Sequence, residues 1–209
     1  MSRPARGPRF LDAGALVAVA ALGVCLACAP KIPPPTIGEK VQDFELADLD
    51  GRPHALSDYR GEVVIINFWA TWCPPCRDEL PSLERLHRTM KDKGVRILAV
   101  SVDERYDDLE LMSESFQLSM TVLHDAGKRV SRVYQTFQFP ETYIVDPDGI
   151  LRSKIIGPRD WMDPSVIRDL VKLKKALPDA DETARVSGGA LASSLMVPDG
   201  VRNGGEARE

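Results

Sequence analysis

Residues 67–76 read Asn67-Phe68-Trp69-Ala70-Thr71-Trp72-Cys73-Pro74-Pro75-Cys76, a segment that changes character at its centre. On its N-terminal side, the apolar run 63–68 is interrupted by Asn67 and predicts a buried central strand. On its C-terminal side, leucines at helical spacing over 74–91 predict a helix that Pro81 kinks and Gly94 ends. The C-x-x-C pair therefore falls where a strand gives way to a helix.

The position at a helix N-terminus predicts different roles for the two cysteines. Cys73 lies nearest the free N–H groups and the positive end of the helix dipole, which both favour thiolate over thiol. We therefore expect Cys73 to be the nucleophile and the less exposed Cys76 to resolve the mixed disulfide and release the partner. Pro74 and Pro75 remove two N–H donors, which predicts a milder acidification of Cys73 and favours a reductant over an oxidant.

Two plainer interpretations of the pair are a structural disulfide and half of a zinc site. A disulfide that closes so short a loop restrains little unfolded-state entropy. A second pair, Cys25 and Cys28, has the spacing to complete a four-cysteine zinc site but lies in a targeting segment. His54, His87 and His124 have no metal-ligand spacing and are interpreted as structural or surface residues. We predict no metal and no cofactor.

The pattern outside residues 67–76 predicts an α/β domain. A second buried strand over 95–102 and a second helix over 109–116 repeat the strand–helix order, which indicates parallel strands joined by right-handed crossovers. A short strand (120–123), a short helix (130–134), a hairpin (142–156) and a closing helix (164–177) follow. A further hairpin is predicted at the N-terminus, over 44–56. The expected fold is a central mixed β-sheet flanked by helices, with an N-terminal β-hairpin extension.

Composition narrows the class of protein. The 209 residues are 44% hydrophobic and 28% charged, as in a soluble globular domain that buries a sizeable core. Lys and Arg number 27 against 31 Asp and Glu, so the formal net charge is -4. The composition lacks the excess of basic residues that is expected of a nucleic-acid binder, so no nucleic-acid partner is predicted.

Residues 1–30 have the layout of a targeting segment. Three arginines precede the uncharged, apolar stretch 13–30, as in a secretory signal peptide. The stretch also reaches the minimum of about 17 residues for a membrane-spanning anchor. Ala27-Cys28 resembles a bacterial lipobox, which makes a lipoprotein signal with lipidation at Cys28 the third alternative. All three place the domain outside the cytoplasm, in the bacterial periplasm or on the outer face of the cell membrane, and two of them tether it there.

The rest of the chain divides into a spacer, one domain and a C-terminal tail. Residues 31–36 are predicted to be a stiff proline-rich spacer that holds the domain off the membrane. Residues 37–177 make up the single domain. Residues 178–209 are rich in Gly, Ser, Ala and acidic residues and are predicted to be a disordered tail.

Three blocks of the sequence resemble the TlpA/ResA-like extracytoplasmic thiol-disulfide oxidoreductases of the thioredoxin superfamily. The blocks are residues 38–46, the segment 67–76 with Glu79-Leu80-Pro81 after it, and residues 139–146, which begin Phe139-Pro140-Glu141-Thr142. The resemblance covers about residues 37–176 and implies a thioredoxin fold.

The resemblance also implies roles for single residues around the cysteines. Pro140 matches a cis-proline beside the disulfide, where the backbone next to it, at Phe139, pairs with an extended polypeptide. Trp72, Pro74 and Pro75 complete the expected substrate-binding set. Trp69 is expected, with Trp72, to pack around the disulfide.

Carboxylates near the cysteines are expected from the same resemblance. Asn67 stands where thioredoxins proper carry a buried Asp that moves the proton of the second cysteine. Glu104 matches a catalytic Glu near the cysteines of ResA-like proteins, the alternative being a solvated loop carboxylate. Glu79 is interpreted as a family-typical helix residue and not as a catalyst.

The function implied is a dithiol reductant of disulfide-bearing exported proteins, such as apocytochrome c, that is reset by a membrane thiol-disulfide electron donor. A dithiol oxidase or isomerase would use the same site at a higher potential. A thiol peroxidase needs Pro-x-x-x-Thr-x-x-Cys, but this chain has Ile66 and Ala70 at the Pro and Thr positions. A copper(I) metallochaperone is the remaining alternative, since thiolates suit this soft ion.

Overall fold

A computed structural model describes residues 33–175. The predicted targeting segment 1–30 with Cys28, the beginning of the proline-rich spacer and the tail 178–209 lie outside the described residues. Between residues 33 and 175, none of the helices combines the length and the apolar character that crossing a membrane requires.

The centre of the domain is a five-stranded sheet built around β3 (Val63–Trp69). Every residue of β3 is buried, because its apolar side chains point alternately to the two faces of the sheet and both faces are covered. On one side, β4 (Val95–Ser101) and then β5 (Thr121–His124) pair in parallel. The parallel pairing predicted from the repeated strand–helix pattern is confirmed on this side.

The other half of the sheet is antiparallel. Strand β6 (Glu141–Val145) pairs with β3, and β7 (Leu151–Ile156) pairs with β6. The complete order is β5-β4-β3-β6-β7. The sheet is therefore mixed, as predicted. Its register places Asn67 opposite Thr142, one residue pair away from the start of β6.

In the part of the chain that the structure describes, four α-helices accompany the sheet: α1 (Pro74–Met90), α2 (Tyr106–Ser115), α3 (Arg129–Val133) and α4 (Pro164–Lys175). Helix α1 follows β3 directly and buries the leucines that predicted it. It runs through Pro81, and a 3₁₀ turn (Lys91–Lys93) then leads to Gly94, whose φ of 74° is the left-handed conformation that glycine adopts readily.

The N-terminal hairpin consists of β1 (Glu45–Ala47) and β2 (Pro53–Ala55), with a 3₁₀ turn (Leu56–Tyr59) after it. It forms a separate two-stranded sheet. A bridge between Asp48 and Leu123 ties this hairpin to β5. The predicted hairpin extension is confirmed.

Candidate active site

Cys73 and Cys76 are joined by a disulfide at the junction of β3 and α1, with their Cα atoms 5.3 Å apart. After Trp69 the chain turns, and the N–H of Cys73 donates to the carbonyl of Ala70 at 3.2 Å. Cys73 has an extended backbone and is the N-cap residue of α1. The predicted placement of both cysteines at the start of the helix is confirmed.

The two prolines determine which backbone donors face Cys73. Pro74 and Pro75 occupy the first two helical positions, and neither has an N–H. The N–H of Cys76 donates to Cys73 Sγ at 3.3 Å. Among the described residues, this N–H is the single backbone donor to that sulfur. A thiolate at Cys73 would therefore receive less stabilisation than at a helix start that carries its full set of donors.

The two cysteines differ in solvent exposure. Cys73 is 5% exposed, whereas Cys76 is 0% exposed. An incoming disulfide therefore reaches Cys73 first. The expected order, with Cys73 as nucleophile and Cys76 as resolving thiol, agrees with this difference in burial.

The loop before β6 lies against the disulfide. The Phe139–Pro140 peptide bond is cis, as the resemblance implied, and the carbonyl oxygen of Phe139 lies 3.5 Å from Cys73 Sγ. The ring of Trp72 packs edge-on against that of Phe139, with centroids 6.0 Å apart, and is itself exposed. Trp69, by contrast, is fully buried and belongs to the core, so it offers no surface to a partner.

The turn that precedes Cys73 is held by a buried carboxylate at the end of β4. Asp103 accepts hydrogen bonds from the N–H of Thr71 at 2.9 Å and from its hydroxyl at 2.7 Å. The hydroxyl of Ser101 also donates to Asp103, at 2.7 Å. Thr71 therefore donates its hydroxyl hydrogen to the Asp103 carboxylate. The sequence does not predict that Asp103 holds this turn.

The neighbouring carboxylate, Glu104, has different surroundings. Its side chain is exposed, and among the described residues it forms neither a hydrogen bond nor an ion pair. The catalytic role assigned to Glu104 stays a prediction, and no contact of the side chain supports it.

Glu79 is buried and only 3% exposed, which the sequence prediction of an ordinary helix residue does not indicate. Asn67 Nδ2 donates to its Oε1 at 2.7 Å, while Trp161 Nε1 and the N–H of Arg159 donate to its Oε2 at 3.2 and 3.1 Å. Burial raises the pKa of the Glu79 carboxyl above its ordinary value, and these hydrogen bonds oppose the rise in part. Glu79 follows Cys76 by three residues, so the two side chains share one face of α1.

Asn67 connects this carboxyl to β6. It is fully buried, and its Nδ2 also donates to Thr142 Oγ1 at 2.9 Å. Within residues 33–175, its Oδ1 is a buried acceptor without a hydrogen-bond partner. Sequence reasoning noted Asn67 as a replacement for a buried Asp. The structure instead brings a carboxylate from α1 to the amide nitrogen of Asn67.

Comparison with known proteins agrees with this geometry. The AhpC/TSA family model matches residues 37–154, more than half of the chain. Two proteins called thiol-disulfide oxidoreductase ResA, from Geobacillus thermodenitrificans and Geobacillus kaustophilus, are 39% and 40% identical over 121 residues. These residues cover 58% of this chain and 70% of each relative. The chain belongs to the ResA-like thiol-disulfide oxidoreductases of the thioredoxin superfamily.

A solved structure supports the same assignment for the ResA-like chain. The thioredoxin domain of a thiol-disulfide oxidoreductase from Bacteroides vulgatus is 29% identical and superposes with a TM-score of 0.59. The match covers 65% of this chain and 98% of that one. The ResA-like chain is therefore a thiol-disulfide oxidoreductase with a thioredoxin fold, and the Cys73–Cys76 disulfide is its redox centre.

Proposed function

We propose that this ResA-like chain is a dithiol reductant that works outside the cytoplasm on the disulfides of exported proteins. The observation that carries the proposal is the start of α1, where Pro75 at the second helical position lacks an N–H and leaves the N–H of Cys76, at the third, as the backbone donor to Cys73 Sγ. A dithiol couple becomes strongly oxidising when its reduced form is stabilised. Fewer donors to the Cys73 thiolate leave the reduced form less stable, which favours electron donation.

The reaction proceeds in two exchange steps. The Cys73 thiolate attacks one sulfur of the client disulfide, a mixed disulfide forms, and the other client sulfur leaves as a thiolate. Cys76 then loses its proton and attacks Cys73 Sγ, which forms the Cys73–Cys76 disulfide and releases the second client thiolate. Two electrons pass from the dithiol to the client. A membrane thiol-disulfide electron donor returns two electrons to the pair.

Glu79 is proposed to take the proton of Cys76 in the second step. Cys76 is fully buried, and a buried thiol without a base gives up its proton reluctantly. Glu79 lies on the same face of α1, and its raised pKa moves the carboxyl toward the neutral range in which a general base is effective. Asn67 holds this carboxyl in place through its amide nitrogen.

The location is inferred from residues 1–30, and the clients are inferred from the family. The arginines and the apolar stretch of residues 1–30 favour export and a tether to the membrane. Apocytochrome c is proposed as a client because the resemblance to TlpA/ResA-like proteins implies it. Its two haem-binding thiols must be reduced before haem attachment.

The substitution Pro75→Ala tests the role of the missing donors. The side chain of an N-cap residue accepts from the second or third helical N–H, and Pro75 is at the second position. The new N–H should stabilise the Cys73 thiolate and raise the reduction potential by about 15–30 mV, since about 30 mV corresponds to 1.4 kcal/mol. The measurement is equilibration of the purified variant against glutathione.

Pro74→Ala is the matched control for this variant. Its new N–H is at the first helical position, which does not reach the N-cap side chain. We expect a potential close to that of the unaltered protein. A Pro75→Ala potential equal to or below that of the unaltered protein would contradict the proposed origin of the reducing character.

A further inference from the structure

The turn that carries Cys73 is held by the segment that follows β4. Residues 70–73 form this turn, in which the N–H of Cys73 donates to the carbonyl of Ala70 at 3.2 Å. Both the N–H and the hydroxyl of Thr71 donate to the carboxylate of Asp103, which lies 32 positions further along the chain. The position of Cys73 therefore depends on a residue that is distant in sequence.

The Asp103 carboxylate depends on the same turn for its own hydrogen bonds. It is 3% exposed, and it accepts from the Thr71 N–H at 2.9 Å, the Thr71 hydroxyl at 2.7 Å and the Ser101 hydroxyl at 2.7 Å. Among residues 33–175, no cationic side chain forms an ion pair with it. A buried charge is costly unless hydrogen bonds compensate it. Because two of the three donors belong to Thr71, movement of the turn away from Asp103 is costly as well.

The backbone of Asp103 is also fixed. His124, at the end of β5, donates from Nε2 to the carbonyl oxygen of Asp103 at 2.9 Å, and the N–H of Asp103 donates to Ser101 Oγ at 3.0 Å. The ring of His124 packs edge-on against Tyr106, with the ring centroids 5.9 Å apart. The hydroxyl of Tyr106 donates to the carbonyl of Leu49, in the loop of the N-terminal hairpin. Asp103 is thus a rigid support for the turn.

This support matters most when the disulfide is open. In the oxidised protein the S–S bond itself fixes the sulfurs of Cys73 and Cys76. In the mixed disulfide that bond is absent, and the chain alone holds Cys73. Resolution then requires Cys76 to attack Cys73 Sγ, an intramolecular step whose rate depends on how the two sulfurs are held. A misplacement of about 1 Å can slow such a reaction about a hundredfold.

We propose that Asp103 is a positioning residue for the resolving step, which holds Cys73 Sγ within reach of Cys76 once the disulfide has opened. The inference rests on the order of attack proposed above, and not on the direction in which electrons flow. Holding the two sulfurs together also favours the disulfide over the dithiol, because closing the bond then costs less conformational entropy. Asp103 therefore adds to the reducing character of the couple.

Asp103→Asn in the full-length chain tests the proposal. Cys25 and Cys28 are replaced by serine in every protein compared, so that the redox pair alone reacts. The Asn amide keeps the shape of the side chain, but its NH₂ group faces a hydrogen-bond donor. The reduced protein is mixed with excess dithiobis(nitrobenzoate), whose first thiol is released by attack and whose second is released by resolution. We expect resolution to slow about tenfold or more, while attack by Cys73 on the free reagent stays within about twofold.

The equilibrium with glutathione gives an independent readout for Asp103→Asn. If resolution slows and attack does not, the equilibrium constant shifts about tenfold toward the dithiol, which raises the reduction potential by about 30 mV. The pH profile of resolution should keep its shape, because Glu79 is unaltered. A substitution that only destabilises the fold would not separate attack from resolution in this way.

Variants of Thr71 show whether Asp103 acts through the turn. Thr71→Val has nearly the same shape but lacks the hydroxyl donor, and it should slow resolution about fivefold, as expected for one lost hydrogen bond. It also leaves the charge of Asp103 in place. Thr71→Ser retains the hydroxyl and should resolve at the unaltered rate. The double variant Asp103→Asn, Thr71→Val should be no slower than Asp103→Asn alone, because both substitutions break the same contact.

Asp125→Asn is the matched control. Asp125 is 2% exposed and accepts from the N–H groups of Arg129 and Ser131, each at 2.8 Å, at the start of α3. Its substitution should lower stability without changing either step of the reaction. Equal slowing of attack and resolution in Asp103→Asn, or slowed resolution in Asp125→Asn, would overturn the positioning role. If Asp103→Asn does not fold, an unaltered rate of resolution in Thr71→Val would overturn it.

The outcomes also separate the inference from the proposed function. Unaltered resolution in both Asp103→Asn and Thr71→Val overturns the positioning role and leaves the dithiol reductant intact. A high reduction potential of the unaltered chain contradicts the dithiol reductant, whereas slower resolution with unaltered attack in the variants still supports the role of Asp103.

Discussion

Cys73→Ser is expected to lower the rate of disulfide exchange by about a thousandfold or more, because it removes the attacking thiolate. Cys76→Ser is expected to retain the attack but to stop at the mixed disulfide, because no thiol remains to resolve it. The two variants therefore fail at different steps. The difference in burial between the two sulfurs, 5% against 0% exposed, is the structural reason for assigning the steps in this order.

The measurement is mass spectrometry of each variant after reaction with a peptide disulfide, without added reductant. Cys76→Ser should carry one covalently bound peptide, and dithiothreitol should release it. Cys73→Ser serves as the control, since Cys76 stays buried and should carry no peptide, and mapping of the digested protein distinguishes this position from Cys25 and Cys28. A stable peptide adduct on Cys73→Ser, with none on Cys76→Ser, would reverse the assigned roles.

Glu79→Gln is expected to slow the resolving step by about a hundredfold, within the range found for general acid–base groups. The reason is that Gln fills the same space on α1 but cannot accept the proton of Cys76. The pH dependence of that step should also change, because the titrating carboxyl is gone. Single-turnover release of client thiol from the mixed disulfide, followed from pH 5 to pH 9, measures both effects.

Stability gives a second readout for Glu79. Its pKa is raised in the folded protein, so the protonated form is the one that folding favours. The contribution to stability is complete below the ordinary carboxyl pKa of 4.5 and is lost as the pH rises through the raised value. Urea unfolding between pH 4 and pH 8 should show this loss in the unaltered protein, and Glu79→Gln should remove it.

Glu84→Gln is the matched control on the same helix. Burial opposes ionisation of Glu84, but hydrogen bonds from Ser119, Arg88 and Met120 outweigh it and lower the pKa. Its contribution to stability is therefore lost as the pH falls, the opposite direction to Glu79. The variant should leave the resolving step unchanged. If Glu79→Gln kept both the pH profile of resolution and the pH dependence of stability of the unaltered protein, Glu79 would not be the base.

The cysteines and the sheet could be predicted because their signals are local or periodic. The apolar run of β3, the helical spacing of α1 and the position of the C-x-x-C pair between them place the redox centre from adjacent residues. The resemblance added Pro140, which lies far from the cysteines in sequence, and the cis peptide bond at that position is confirmed.

The carboxylates could not be predicted in the same way, because their surroundings come from distant parts of the chain. Glu79 meets Trp161 and Arg159, about 80 residues further on, in a loop before α4. Asp103 and Glu104 are adjacent in sequence, and the residue types do not indicate which one turns inward at the end of β4. The clue that was available for Glu79 is its spacing: it lies on the helix face that also carries Cys76 and Leu83, which are buried.

The most direct test of the dithiol reductant is the reduction potential of the Cys73/Cys76 couple in the full-length chain. The protein is equilibrated with dithiothreitol or glutathione buffers, and the fraction of disulfide is determined after alkylation of the free thiols. We expect a potential near or below that of thioredoxin, about -270 mV. A potential near about -120 mV would contradict it and would make the chain a disulfide-forming oxidase.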